Sequence, residues 1–215
     1  MNHVTVGKIN SFLAAHCGML PAGPVLFLGV GDGTEIVHLA ARGHAVTAFE
    51  SDAGALAHAS ALAAAAGVRV QWSYRERSLW RLGFEQWAGI VALFPAWPTA
   101  ERRRLLAAVP NALQPGGSLL FEGFAEGTGG PLSLDDDELD PADVRAELEI
   151  LHLARFATMS RPVRSDAGEL QPTWVLQVVG THLEAAGDAE ECNQPPAPRL
   201  VAVKTGRSRQ KRATA

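Results

Sequence analysis

Short apolar runs alternate along this chain with segments in which apolar residues recur every three or four positions. Runs of four to eight apolar residues fit buried strands, and the longer period fits helices packed on one face. Val25–Leu28, Ala45–Phe49, Val68–Tyr74 and Trp87–Phe94 read as strands, with Ile36, Val37, Leu39 and Ala40 marking a helix after the first. A break at Pro95–Pro98 and an N-cap at Thr99 precede a helix over Glu101–Leu113. Asn111–Phe124 then supplies a helix end, a Pro-Gly-Gly turn and a fifth strand, and two further strands are expected near Ile150–Thr158 and Thr173–Val179. Alternation of this kind predicts a doubly wound α/β sandwich around a mostly parallel sheet, with helices on both faces.

The chemistry concentrates where the first strand ends. Gly29, Gly31 and Gly33 follow Val25–Leu28, letting the backbone turn tightly and letting a ligand approach where a Cβ would collide. Gly43 is placed to close the next helix in a left-handed conformation. Glu50 ends the second strand 19 residues after Gly31, a distance at which a carboxylate can accept both hydroxyls of a ribose. Dinucleotide binders space their glycines as Gly-x-Gly-x-x-Gly, but position 34 is Thr here.

Gly-x-Gly-x-Gly followed by a strand-end acid resembles the class I S-adenosylmethionine-dependent methyltransferases, whose cofactor carries a ribose but no phosphate. The run NALQPGGSLLFEGF at Asn111–Phe124 resembles that family's passage into its fifth strand. GTGGP at Gly127–Pro131, LEILHL at Leu148–Leu153 and VGKINSFL near the start resemble the tellurite-resistance and thiopurine-type branch of small-molecule methyltransferases. The resemblance spans roughly residues 5 to 180 and implies a Rossmann-like sheet of about seven strands, the last two forming an antiparallel edge. It implies S-adenosyl-L-methionine as cofactor and a small-molecule methyl acceptor as partner. Gly29, Val30, Gly31 and Gly33 would then hold the cofactor from the turn, and Glu50 with Ser51 from the second strand. Glu76 would accept from the adenine amino group, with Arg77 beside it and Phe94 closing the cleft. Residues that carry catalysis are not identified by these motifs.

The departures from the family pattern are also specific. Phe27 stands where an acid is usual two residues before the first glycine, and Glu35 stands where the branch commonly has an amide. Ala96 or a neighbour replaces a histidine expected after the fourth strand. Arg161, Arg164 and Asp166 fall in what reads as a divergent loop. These losses bear on catalysis more than on folding, so a catalytically silent relative acting as a binding or regulatory protein stays open beside the enzyme.

Composition sets the remaining bounds. With 215 residues, 47% apolar and 20% charged, the chain suits one domain over residues 1–184 and a tail over 185–215 expected to be disordered. The net charge of −4 argues against a nucleic-acid partner, apart from weak contact through five basic residues in Lys204–Arg212. Cys17 and Cys192 lack metal-like spacing and suit a reducing cytoplasm, and no run reaches membrane-span length or forms a signal peptide. The acidic run Asp135–Glu138 lacks the glycine and terminal glutamate of a calcium loop, so no metal is expected. Asp140, Pro141 and Asp143 instead read as the start of a helix.

Overall fold

A computed structural model describes residues 9–95, 97–125, 139–164 and 170–183. Seven strands form one sheet: β1 Pro24–Leu28, β2 Ala45–Glu50, β3 Gln71–Tyr74, β4 Trp87–Leu93, β5 Leu113–Phe124, β6 His152–Arg164 and β7 Leu170–Thr181. Their order is β3-β2-β1-β4-β5-β7-β6. Pairings from β3 through β5 are parallel, while β7 runs antiparallel to both β5 and β6. The sheet order reverses direction at β1 and β4, and ligands of such sheets bind beyond the strand ends at that point.

The helices are α1 Ser11–His16, α2 Thr34–Ala41, α3 Ala53–Ala65, α4 Thr99–Ala112 and α5 Pro141–Glu147. Alternate residues of β1 explain how both faces are covered. Val25 and Phe27 pack with Phe12 of α1, Ile36 and Leu39 of α2 and Ala59 of α3. Leu26 and Leu28 face the other way, into a core shared with Leu105 and Val109 of α4 and Val144 of α5. The doubly wound, mostly parallel seven-stranded sheet with an antiparallel edge expected from the sequence is the fold observed.

Several boundaries differ, each for a local reason. Gly67 adopts φ +71° after α3 and the Val68 N–H bonds back to the Ala63 carbonyl, so Val68–Val70 leave the helix and β3 starts at Gln71. Pro98, not Thr99, occupies the N-cap of α4. The Pro-Gly-Gly turn lies inside β5: Trp87 pairs with Leu113 and Gly89 with Ser118, so residues 114–117 bulge out of register. The expected divergent loop is a correction of more weight. Arg161 and Arg164 belong to β6, paired with Thr173 and Leu170 of β7, so this hairpin extends past the expected strand ends. Asp140 caps α5 by accepting the Ala142 N–H at 2.7 Å, with Pro141 at the first position as expected. Asp135–Glu138, Gly127–Pro131, Ala96, Asp166 and the tail lie outside the described residues. No helix among the described residues is long and apolar enough to cross a membrane.

Candidate functional site

The glycine turn leaves β1 with Gly29, Gly31 and Gly33 all in left-handed conformations, at φ +83°, +52° and +86°. The three do different work. The Gly29 N–H bonds to the Phe49 carbonyl at 3.0 Å, anchoring the turn to β2. Gly31 is exposed, and a Cβ added there would meet nothing within 4 Å, so its missing side chain leaves space for something outside the chain. At Gly33 a Cβ would stand 2.7 Å from the Ala59 Cβ and 2.8 Å from its Cα, so that glycine lets α3 pack against the turn.

Glu50 ties this turn to the start of α3. Its Oε2 accepts the Val30 N–H at 2.9 Å, and Oε1 accepts the N–H groups of Ser51 at 2.6 Å and Asp52 at 2.8 Å. Oε1 also accepts the Ser51 hydroxyl at 3.4 Å and is fully taken, so Oε2, with the Val30 N–H alone, keeps one acceptor direction for a ligand hydroxyl.

A cavity of about 260 Å³ opens beside the turn. Gly29, Gly31, Glu50 and Ser51 form one wall, and Arg77, Phe94 and Pro95 stand in the lining with them. Its aromatic walls are Trp80 and Trp97, 1% and 2% exposed, whose rings meet edge-to-face at 6.3 Å. Trp80 is held by its Nε1–H to the Arg75 carbonyl at 3.0 Å and by the edge of Phe49 at 5.8 Å. From α4, Arg104 donates to the carbonyls of Trp80 and Arg77 at 2.9 and 2.7 Å and fixes the turn at Arg77–Leu79. Arg77 is itself 3.2 Å from Glu101. Of the expected residues, Glu76 is exposed and outside the cavity lining, its place on the wall taken by Arg77; Val30 and Gly33 are buried behind the turn.

Phe94 divides this cavity from a second of about 610 Å³. Its φ of +47° is uncommon for a residue with a bulky side chain and is held by the Phe94 N–H bond to the Glu122 carbonyl at 2.6 Å. The Phe94 ring lies 4.8 Å from that of Phe124, with the Arg161 guanidinium 5.4 Å from its centroid. Behind the ring, Glu122 is fully buried and fully satisfied. It accepts from Asn10 at 2.8 Å, from Gln177 at 2.6 Å and from Arg161 through both Nε, at 2.8 Å, and Nη2. The network joins the start of α1 to β5, β6 and β7. Glu35 faces the second cavity and accepts the Asn10 backbone N–H at 3.0 Å. Burial pushes its carboxyl above the ordinary range, the Asn10 bond and its own backbone N–H oppose this, and the nearby Asp32 charge adds to it.

Trp80, Trp97 and Glu122 were not singled out by the sequence. Glu122 had a signal, a charge inside the apolar run Leu119–Phe124. The tryptophans had none, because their place in the wall depends on how α4 clamps the loop after β3.

An open glycine turn, an acid with one acceptor direction spare, and an aromatic-walled cavity at the strand ends fit a nucleoside with a hydroxylated sugar. Residues 25–117 match the family model described as a methyltransferase domain. Solved structures with the same fold include TehB from Haemophilus influenzae, 12% identical over 83% of this chain and 64% of that one, TM-score 0.68. An S-adenosylmethionine-dependent methyltransferase from Methanosarcina mazei is 15% identical over 83% of this chain and all of that one, TM-score 0.64. N-methyltransferase NodS from Bradyrhizobium japonicum is 14% identical over 80% and 93% of the two chains, TM-score 0.62. At these identities the likeness carries the fold. Comparison with curated proteins gives no match. Residues 25–117 thus carry the match to a methyltransferase domain, and the fold around them is the one these solved methyltransferases share.

Proposed function

We propose that this chain transfers a methyl group from S-adenosyl-L-methionine to a small-molecule acceptor, within the tellurite-resistance and thiopurine-type branch that its motifs resemble. The observation that carries the reading is the open space at Gly31 directly beside the Glu50 carboxylate, inside one cavity. Glu50 and Ser51 would hold the ribose, Gly29, Val30, Gly31 and Gly33 would shape the turn against the cofactor, and Trp80 and Trp97 would flank its base. Arg77 and Phe94 would border it, with Glu76 at the outer rim. When bound, the cofactor supplies a sulfonium-activated methyl group.

The chain's own task is then alignment and exclusion of water. Phe94, fixed by the Glu122 carbonyl and flanked by Phe124 and Arg161, is the partition between nucleoside and acceptor spaces. A cavity of about 610 Å³ on its far side falls within the range of small-molecule sites, roughly 300–1,000 Å³. Residues 1–184 would form the catalytic domain and the basic tail would be dispensable for it.

One observation favours the silent alternative. Phe27 replaces the usual acid with a buried ring, removing a group that would favour the cofactor's ammonium. Incubation with labelled S-adenosyl-L-methionine and thiol, amine and tellurite acceptors separates the two. Formation of S-adenosylhomocysteine with any acceptor supports the enzyme; cofactor binding without turnover across the panel supports the silent relative.

A further inference from the structure

The geometry points to Glu122 as a positioning residue: its side chain lines neither cavity and acts through Arg161 on Phe94, whose ring is the wall between them. This rests on the methyltransferase reading of the smaller cavity and adds a residue outside the site that governs its affinity.

Every acceptor position of Glu122 is taken by a donor from another element. Oε1 accepts the Arg161 Nε–H at 2.8 Å and a Gln177 Nε2–H at 2.6 Å. Oε2 accepts an Asn10 Nδ2–H at 2.8 Å and an Arg161 Nη2–H. Four donors use up a carboxylate, and the residue is fully buried, so no acceptor direction is left for a ligand. Any effect of Glu122 on the site must therefore pass through its neighbours.

Stability alone does not call for such a pair, because apolar residues of similar volume hold a core as well as a buried ion pair does. What the pair achieves is to immobilise a long side chain. Arg161 spends Nε and Nη2 on Glu122, and its Nη1 donates to the Pro162 carbonyl at 3.1 Å. Held at three nitrogens, the guanidinium stands 5.4 Å from the centroid of the Phe94 ring. Phe124, two residues after Glu122 on the same face of β5, supports that ring at 4.8 Å. The Glu122 carbonyl accepts the Phe94 N–H and holds the backbone at φ +47°, which a bulky residue keeps only when its surroundings fix it. Phe94 is the residue that the two cavity linings share.

Glutamine cannot take over from Glu122. Its amide N–H groups would face the N–H groups of Arg161, Gln177 or Asn10, and Gln177 cannot offer its own oxygen instead, since that accepts the Arg155 Nε–H at 2.9 Å. Aspartate keeps the charge and the acceptors but is one methylene short. The main-chain bond to Phe94 survives both substitutions, so they test the side-chain route alone.

Fluorine NMR of the full chain labelled with 4-fluorophenylalanine reads the ring without cofactor, the Phe94 and Phe49 signals being assigned from Phe94→Leu and Phe49→Leu. Glu122→Gln should shift or broaden the Phe94 signal and leave Phe49 unchanged, and Glu122→Asp should move it less. Calorimetry with S-adenosylhomocysteine on unlabelled proteins, below their melting temperatures, then reads the consequence. Glu122→Gln should weaken binding about fivefold or more in the wild-type background and less than about twofold in Phe94→Leu, where the route is already cut. A residue that only supports the fold would give the same loss in both backgrounds. An unmoved Phe94 signal overturns the inference, as does an equal loss in the two backgrounds or no loss in either. Should Glu122→Gln not fold, Glu122→Asp is judged by the same comparisons. A Phe94 signal that moves in a protein whose wild type ignores S-adenosylhomocysteine would sink the methyltransferase reading and leave the hold of Glu122 on Phe94 standing.

Discussion

Replacing Phe27 with aspartate restores the carboxylate that related turns carry, and the structure says it should fail here. Phe27 sits mid-strand in β1, paired with Ala48 and Val91, and is 4% exposed among Phe12, Leu13, Ile36 and Leu39. Truncating a buried phenylalanine costs about 3–5 kcal/mol in transfer and cavity terms. The new carboxyl would add about 1–3 kcal/mol, because that apolar cluster offers it no partner. Together these amount to roughly 4–8 kcal/mol, a large share of the roughly 5–15 kcal/mol that holds a domain together. At about 2–4 °C per kcal/mol for a chain of this size, Phe27→Asp should melt at least about 8 °C below wild type. Thermal unfolding followed by far-ultraviolet circular dichroism reads this, with S-adenosylhomocysteine affinity measured on the same samples. Phe27→Leu, which keeps the apolar contact, should fall by only a few degrees. A Phe27→Asp protein that melts within about 2 °C of wild type and binds the cofactor more tightly would refute the reasoning, showing that the position is a vacant ligand site and not core.

Gly31→Ala should lose cofactor affinity about tenfold or more while its left-handed φ of +52° costs only about 1–2 kcal/mol, since no atom lies within 4 Å of the added Cβ. Gly33→Ala should lower the melting temperature further, because its φ is also left-handed and Ala59 backbone stands 2.8 Å from the new Cβ. Glu50→Ala should weaken S-adenosylhomocysteine at least about tenfold in calorimetry, one lost charge-assisted bond, and unchanged affinity in a folded variant removes the assignment. Arg161→Ala strands the buried Glu122 charge and should cost about 3–5 kcal/mol, read as a melting shift. For Glu35 the folded pKa lies above the unfolded one, so the native state holds more protons between the two and stability falls as pH rises from the ordinary carboxyl range through the folded value. Melting curves across pH should show Glu35→Gln losing that decline and standing above wild type at neutral pH.

The elements most legible in the sequence were those whose signal is local. β1, the glycine turn, α2 and β2 follow from an apolar run, three glycines and a helical period, and Glu50 follows from its distance to Gly31. The α5 start followed from Asp140 and Pro141 for the same reason. What stayed hidden depended on tertiary contact. Glu76 and Arg77 are neighbours with similar composition around them, and only the grip of Arg104 on the following turn determines which one lines the cavity. Arg161 read as loop because this stretch lacks a run of apolar residues, and β6 and β7 continue beyond their pairing with β5 as a two-stranded hairpin that only strand pairing defines. Single bonds of the Glu122 network span up to 112 positions, and no window on the chain could have shown Asn10 and Gln177 as its partners.

The central claim is that the cleft between the glycine turn, Glu50 and the paired tryptophans holds S-adenosyl-L-methionine. Titrating the folded wild-type chain and Gly31→Ala with S-adenosyl-L-methionine by calorimetry tests it directly. The account predicts a one-to-one complex for wild type that is at least about tenfold weaker for a folded Gly31→Ala. A well-folded wild type that shows no heat of binding at millimolar cofactor, or two proteins that bind it equally, would contradict it.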